Sequence, residues 1–226
     1  MKPLKAIIFD MDGVLVDSEP FHQEIERRVF RKLQLDISEE EHATYMGTAT
    51  DVMWKRIREK HQLSQDIKAL VDLNLSECHS YFAAREKITP MAGVVPLLEK
   101  VLRNQIPMAL ASSSDPKTID LIMEKSGLGT YFNYIVSSTL VGKSKPDPAI
   151  FLYTSELLNV PPDSCVVIED STNGIKAAKA AGMFCVAYSN ASAQNQDQTE
   201  ADLRVADFNV LEDMLFSPQN RNVELN

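Results

Sequence analysis

Lys5-Ala6-Ile7-Ile8-Phe9 runs straight into Asp10-Met11-Asp12-Gly13 near the start of the chain. A short unbroken apolar run fits a strand buried on both faces, as in a parallel sheet. Asp10 and Asp12 then stand at the carboxyl end of that strand, the end where open α/β sheets bind ligands. While a strand continues, residues i and i+2 point to one side, so the two carboxylates are expected close together. Such a pair is unfavourable unless a cation or a shared proton relieves the repulsion. Gly13 allows the chain to turn away at once. A polar strand exit without chemistry would look the same locally. A calcium loop does not fit, because it needs glycine at its sixth position and glutamate at its twelfth.

Residues 107–111, 165–168 and 184–187 repeat the apolar pattern, and 134–136 is a weaker candidate. Helical signals separate them. Asp115-Pro116 and Asp147-Pro148 each offer an N-cap aspartate with proline at the first helical position, and residues 173–181 form an Ala/Lys-rich stretch with Gly182 just after it. Strands alternating with helices predict an α/β fold with a doubly wound, Rossmann-like parallel sheet.

The stretch 18–88 has no strand signal. Phe21, Ile25, Val29 and Leu33 mark one helical face, and Ser38 with Glu41 makes a capping box. Val52, Trp54 and Ile57 suit a third helix; Ile67, Leu70, Val71, Asn74, Cys78, Tyr81 and Phe82 suit a fourth. The expected organisation is an α/β core from residues 1–15 and 89–226, with an inserted four-helix cap at 16–88. The polar end, 217–226, is expected to fray.

Composition bounds the function. Dividing 226 residues by roughly 150 per domain leaves one large domain, or one plus a small insertion. With 44% hydrophobic and 24% charged residues, the chain is ordinary globular material. A net charge of −9 argues against nucleic acid and against an anionic membrane surface as partners. No apolar run approaches the roughly 18 residues of a membrane span, and the first one ends too early, at Asp10, for a signal peptide. Cys78, Cys165 and Cys185 are odd in number and form no CxxC pair, which predicts a reducing, cytoplasmic location without a disulfide framework or structural zinc. No heptad seam is visible, so a monomer is expected.

Three further segments carry chemistry. Leu110-Ala111-Ser112-Ser113-Ser114 closes a candidate strand with hydroxyls and backbone N–H groups that suit an anion. Gly142-Lys143-Ser144-Lys145-Pro146 offers two lysines, between which spacing does not choose. Ile168-Glu169-Asp170-Ser171 ends another strand in two carboxylates, with Asn173-Gly174 following. Taken singly, each has an ordinary reading: a loop, a solvated lysine, acids at a helix N-terminus. Together they bring Asp–Asp, Ser, Lys and Glu–Asp to one sheet edge. A carboxylate cluster suits a hard cation such as Mg²⁺, and Ser with Lys suits an oxyanion. That combination points to phosphoryl transfer.

With these motifs in view, the chain resembles the haloacid dehalogenase superfamily, in the branch of β-phosphoglucomutases and sugar-phosphate phosphatases. The resemblance covers nearly the whole length and is carried by DMDGVLVDSEP, SKPDPAIF and IEDSTNGIKAAKAAGM. It implies that Asp10 is the nucleophile, forming an aspartyl-phosphate, and that Asp12 is the general acid and then the base. It implies that Ser112 and Lys145 hold the phosphoryl group, helped by backbone amides near Met11, Asp12 and Ser113. It selects Lys145 over Lys143. It assigns Mg²⁺ to Asp10, the Asp12 carbonyl and Asp170, with Glu169 as a direct or indirect ligand. In the cap, His22 coincides with a histidine carried by the mutases, and Thr50 is a candidate substrate contact. The mutases also carry a cap arginine; here Gly47-Thr48-Ala49-Thr50-Asp51 contains none, and no Asn side chain follows Ser112 where the mutases use one. Both departures favour a Mg²⁺-dependent phosphatase acting on a small sugar or sugar-alcohol phosphate. The alternatives are a β-phosphoglucomutase and a non-catalytic binding module on the same fold. Carbon–halogen displacement is disfavoured by Asp12 and Asp170.

Overall fold

A computed structural model describes residues 4–45, 48–190 and 196–216. The tail expected to fray, 217–226, and Gly47 of the cap stretch lie outside the described residues. The chain divides into two compact units, one formed by Met1–Asp17 with Lys87–Asn226, the other by Ser18–Glu86. Among the described residues, no helix is long and apolar enough to cross a membrane.

The first strand, β1 (Ala6–Phe9), is fully buried along its length, which is why its sequence is an unbroken apolar run. The chain then enters the helical unit: α1 (Glu19–Lys32), α2 (Glu39–Ala43), α3 (Thr50–His61) and α4 (Ile67–Ala83). Its own core gathers Val29, Phe30, Tyr45, Met53, Trp54, Ile57 and Leu70. Phe30 meets Trp54 edge-on at 5.8 Å. Two details depart from the sequence reading. Met53 is buried while Val52 is exposed, because Met53 lies on the helical face shared with Trp54 and Ile57. Ser38 does accept the Glu41 N–H at 3.2 Å, but the Glu41 carboxylate binds Tyr45, Lys60 and His61. Those three partners, outweighing the effect of burial, hold that carboxylate down at about 2.

Returning to the first unit, the chain forms α5 (Val94–Arg103), β2 (Met108–Ser112), α6 (Pro116–Ser126), β3 (Tyr134–Ser137), the short α7 (Ser138–Val141), α8 (Ala149–Leu157), β4 (Cys165–Glu169), α9 (Thr172–Ala180), β5 (Phe184–Tyr188), β6 (Leu203–Val205) and α10 (Phe208–Phe216). The strands make one parallel sheet in the order β3-β2-β1-β4-β5-β6. From β1 the chain winds outward to β2 and β3, then crosses back to β4 and winds the other way. The switch point therefore lies between β1 and β4, and crevices at such points are where doubly wound sheets bind ligands.

Four of these elements have no counterpart in the sequence reading: α5, α7, β6 and α10. β6 is an edge strand of three residues with Arg204 exposed at its centre, too short and too polar to give an apolar signal. β3, at the other edge, exposes Tyr134 and Ile135, which explains its weaker sequence signature. α8 begins one residue later than its aspartate-proline signal suggested. Pro148 is its N-cap, and Asp147 accepts the Ala149 N–H at 2.9 Å. α6 follows its signal: Asp115 is the N-cap and accepts the N–H groups of Lys117 and Thr118.

Asp115→Ala removes an acceptor shared by two backbone donors. The expected loss is about 1 kcal/mol of stability, read as a lower denaturant midpoint at unchanged slope; an unshifted midpoint would show that the carboxylate does not cap α6.

Candidate active site

Strand β1 ends at Phe9, yet Asp10 keeps one sheet bond, its N–H donating to the Ile168 carbonyl at 2.9 Å. Beyond it the backbone leaves the sheet. The Met11 carbonyl accepts the N–H groups of Leu15 and Val16 at 2.9 and 3.1 Å, and Gly13 N–H donates to Val16 at 2.8 Å. Gly13 takes φ 76°, a left-handed conformation that suits glycine. The i, i+2 rule therefore stops applying between Asp10 and Asp12.

The side chains that converge on Asp10 come from β4. One oxygen each of Asp10, Glu169 and Asp170 lie within 4.8 Å of one another. Asp12 is not in this set. Its Oδ2 accepts the Ser114 hydroxyl at 2.9 Å, although its charge still reaches Asp10 and Asp170. Asp10, Glu169 and Asp170 thus form a converging triad, and Asp12, on the turn beyond the sheet, adds its charge from beside Ser114.

Lys145 lies among these acids. Its buried ammonium donates to Asp10 Oδ1 at 2.5 Å, Glu169 Oε1 at 2.6 Å and the Ala111 carbonyl at 3.0 Å, so all three donors are used. The Lys145–Pro146 peptide is cis. Lys143 is exposed and pairs with Asp147 at 3.1 Å. Burial alone would lower the Lys145 ammonium; the Asp10 and Glu169 charges outweigh it and hold it above its ordinary range. One cation does not balance three acids. Burial, only partly countered by Lys145, raises Asp10 well above the usual carboxylate range. Burial and then the Glu169 charge push Asp170 to about 8.

Glu169 is the most constrained of the three. Its Oε2 accepts the N–H groups of Asp170 and Ser171, each at 2.9 Å, and the Ser171 hydroxyl at 3.0 Å. The same hydroxyl caps α9 by accepting the Gly174 N–H at 3.0 Å. Two glycines make room for the carboxylates. A Cβ on Gly174 would fall 1.7 Å from Glu169 Oε1, and a Cβ on Gly13 would fall 2.0 Å from Asp170 Oδ2. Asn190, just past β5, donates to Asp170 Oδ2 at 3.0 Å and also binds the Gly13 carbonyl.

Ser112, fully buried at the end of β2, accepts the Ser114 N–H at 3.1 Å. Accepting through oxygen leaves its O–H to donate to an anion. Ser113 is exposed beside it and Met11 is buried. Asp10, Asp12, Ser112, Lys145, Glu169 and Asp170 therefore all belong to the α/β unit, at the carboxyl ends of β1, β2 and β4 or in the loop before α8. His22 and Thr50 belong to the helical unit: His22 stands edge-on to Phe82 at 6.4 Å, and Thr50 is the exposed first residue of α3. The sequence reading missed Ser114 and Asn190. Ser114 was visible only as one of three adjacent serines. Asn190 was discoverable from its place just after an apolar run in a parallel sheet.

The triad is chemically suited to a hard divalent cation. It offers three converging oxygen donors, and burial and mutual repulsion leave an excess of negative charge that a cation would relieve.

The family model described as haloacid dehalogenase-like hydrolase matches residues 7–188. A phosphorylated carbohydrates phosphatase of Thermotoga maritima is 34% identical over 180 residues, covering 80% of this chain and 82% of that protein. The fructose-1-phosphate phosphatase YqaB of Escherichia coli is 32% identical over 181 residues, covering 80% and 94%. The crystal structure of a β-phosphoglucomutase from Clostridium difficile superposes with a TM-score of 0.75 at 29% identity, covering 92% of this chain and 93% of that one.

Two outcomes follow from the packing and the charges. Gly174→Ala forces a methyl group onto a carboxylate held by four hydrogen-bonding groups, and the overpacking is expected to remove about 2 kcal/mol or more of stability; wild-type stability in a denaturant melt would contradict the close approach. Asp170 has a folded pKa above its unfolded one, so its charged form disfavours the fold. In chelated protein, stability from this group is present below the ordinary carboxylate range and is lost as pH rises toward about 8. Asp170→Asn should match wild type near pH 4 and be increasingly more stable up to about pH 8, above which the difference stays constant. A difference that does not grow with pH would refute the shift.

Proposed function

The chain belongs to the haloacid dehalogenase-like hydrolase family, and on that footing we propose that it is a Mg²⁺-dependent phosphatase of small sugar or sugar-alcohol phosphates, working through an aspartyl-phosphate. The observation that carries this reading is the buried Lys145 ammonium, bound to Asp10 and Glu169 beside a converging carboxylate triad at the sheet's switch point. The substrate class rests on the named activities of the two similar phosphatases.

Asp10, Asp170 and the Asp12 carbonyl would hold Mg²⁺, with Glu169 placed directly or through its neighbours. Bound there, the ion would offset the negative charge that develops on the phosphoryl oxygens. The Ser112 hydroxyl would bind those oxygens, aided by N–H groups near Met11, Asp12 and Ser113, and the Lys145 ammonium would turn one of its three donors from a carboxylate to the arriving phosphoryl group. An Asp10 oxygen attacks phosphorus as the bond to the ester oxygen breaks, and Asp12 delivers a proton to the departing alcohol. Water then attacks the phosphorus of the aspartyl-phosphate, giving its proton to Asp12. Inorganic phosphate leaves and the Asp10 carboxylate is regenerated. Lys145 also lessens the repulsion between a carboxylate nucleophile and an anionic ester. We assign the helical unit the role of a cap that selects the substrate, with His22 and Thr50 as its candidate contacts.

The likeness to β-phosphoglucomutase favours a second reading, in which the phosphoryl group returns to the sugar. The absence of arginine from residues 47–51 opposes it, because a bidentate clamp suits a second phosphate.

With β-glucose 1-phosphate and Mg²⁺, the phosphatase reading expects free phosphate; conversion to glucose 6-phosphate in the presence of a bisphosphate primer would favour the mutase. A panel of phosphorylated metabolites identifies the substrate. Asp10→Asn is expected to lower kcat by at least about 10³-fold. Undiminished hydrolysis by that variant would sink the covalent mechanism, and the lack of turnover of any phosphoester by wild type would point to the binding-module alternative. Chelation should abolish turnover and Mg²⁺ restore it.

A further inference from the structure

The loop after β2 is pinned by hydroxyl groups from its own strand and from its neighbour. Ser112 and Ser137 are partners in the β2–β3 register, and both are buried. Ser112 Oγ accepts the Ser114 N–H at 3.1 Å, Ser137 Oγ donates to the Ser114 carbonyl at 2.6 Å, and Ser138 Oγ donates to the Ser113 carbonyl at 3.2 Å. The backbone of Ser114 is therefore fixed at both its N–H and its carbonyl. From that fixed point its hydroxyl donates to Asp12 Oδ2 at 2.9 Å. Asp12 itself sits on a turn outside the sheet, in a half-buried position. The Ser114 hydroxyl thus links its rotamer to β2 and β3.

We infer that Ser114 is a positioning residue that orients the Asp12 carboxyl for proton transfer. The inference rests on the acid–base role proposed for Asp12 and deepens it. With Oδ2 accepting the Ser114 hydroxyl, the transferable proton belongs on Oδ1. That proton passes to the ester oxygen as the phosphorus–oxygen bond breaks and the phosphoryl group moves to Asp10. In the second step Oδ1 takes the proton of the attacking water as phosphate is released. Ser114 gives up no proton in either step; it holds the carboxyl plane while the proton moves. A general acid must lie within hydrogen-bond reach and in line with the leaving atom, so a carboxyl turned out of that line loses rate rather than binding.

The test compares Ser114→Ala and Ser114→Thr in full-length protein with Mg²⁺, using kcat/KM for phenyl phosphate and for p-nitrophenyl phosphate. A poor leaving group needs the acid; p-nitrophenolate hardly does. Alanine keeps every backbone bond of Ser114, and a thermal melt checks that the fold is retained. For Ser114→Ala the expected result is a loss in kcat/KM of about tenfold on phenyl phosphate and less than about twofold on p-nitrophenyl phosphate. Threonine, which keeps the hydroxyl, should restore both. In an Asp12→Asn background, Ser114→Ala should cause no further loss. Equal losses on the two esters, a threonine variant as impaired as alanine, an additive loss in the Asp12→Asn background, or no loss at all would overturn the positioning role. Failure of the underlying reading looks different. Either wild type hydrolyses neither ester, or Asp12→Asn shows no dependence on the leaving group.

Discussion

The Lys145 ammonium is buried together with Asp10 and Glu169, and the rest of the site is arranged around that contact. Burying charges is unfavourable unless they are paired and their hydrogen bonds are complete. Lys145 meets the condition by using all three of its donors, the third on the Ala111 carbonyl of β2. The contact joins the loop before α8 to the ends of β1, β2 and β4, which converge only through the winding of the sheet. The same ammonium keeps a strongly acidic cluster compatible with folding and supplies a positive charge where a phosphoryl group would arrive.

That balance is deliberately incomplete in its charges. Three carboxylates converge on one lysine, and Asp10 and Asp170 are both pushed toward their neutral forms by burial first and then by the Glu169 charge. Such a site gains from a divalent cation, because each carboxylate that regains its charge in the cation's presence contributes to binding. Gly13 and Gly174 set how closely the acids approach. Each stands where any side chain would strike a carboxylate, so the cluster depends on two positions that carry no functional group.

The serine cluster does a different task. Ser112 leaves its proton available for an anion while its oxygen fixes the Ser114 N–H. Ser137 and Ser138, one at the end of β3 and one at the start of α7, fix the carbonyls of the same loop. The proposed oxyanion contact at Ser112 and the Ser114–Asp12 hydrogen bond therefore share one preorganised segment, which would limit the reorganisation needed when charge develops.

The apolar runs of β1, β2, β4 and β5 were legible in the sequence because each strand is buried on both faces, so burial leaves an unbroken local record. Their alternation with helical patterns determined the fold class, and the residues just beyond them, Asp10, Ser112, Glu169 and Asp170, marked the active edge. β6 left no such record, being short, at the edge and partly exposed. The partner of Asp10 was decided by the tertiary structure. Spacing pointed to Asp12; the turn at Gly13 sets the Asp12 carboxyl against Ser114, and the end of β4 adds Glu169 and Asp170. The pairing of Lys145 with Asp10 and the clearance at Gly174 likewise exist only in the folded chain. Local periodicity reports which residues are buried, whereas hydrogen bonds between residues more than a hundred positions apart, such as Lys145 with Asp10 or Ser114 with Asp12, depend on strand order and register.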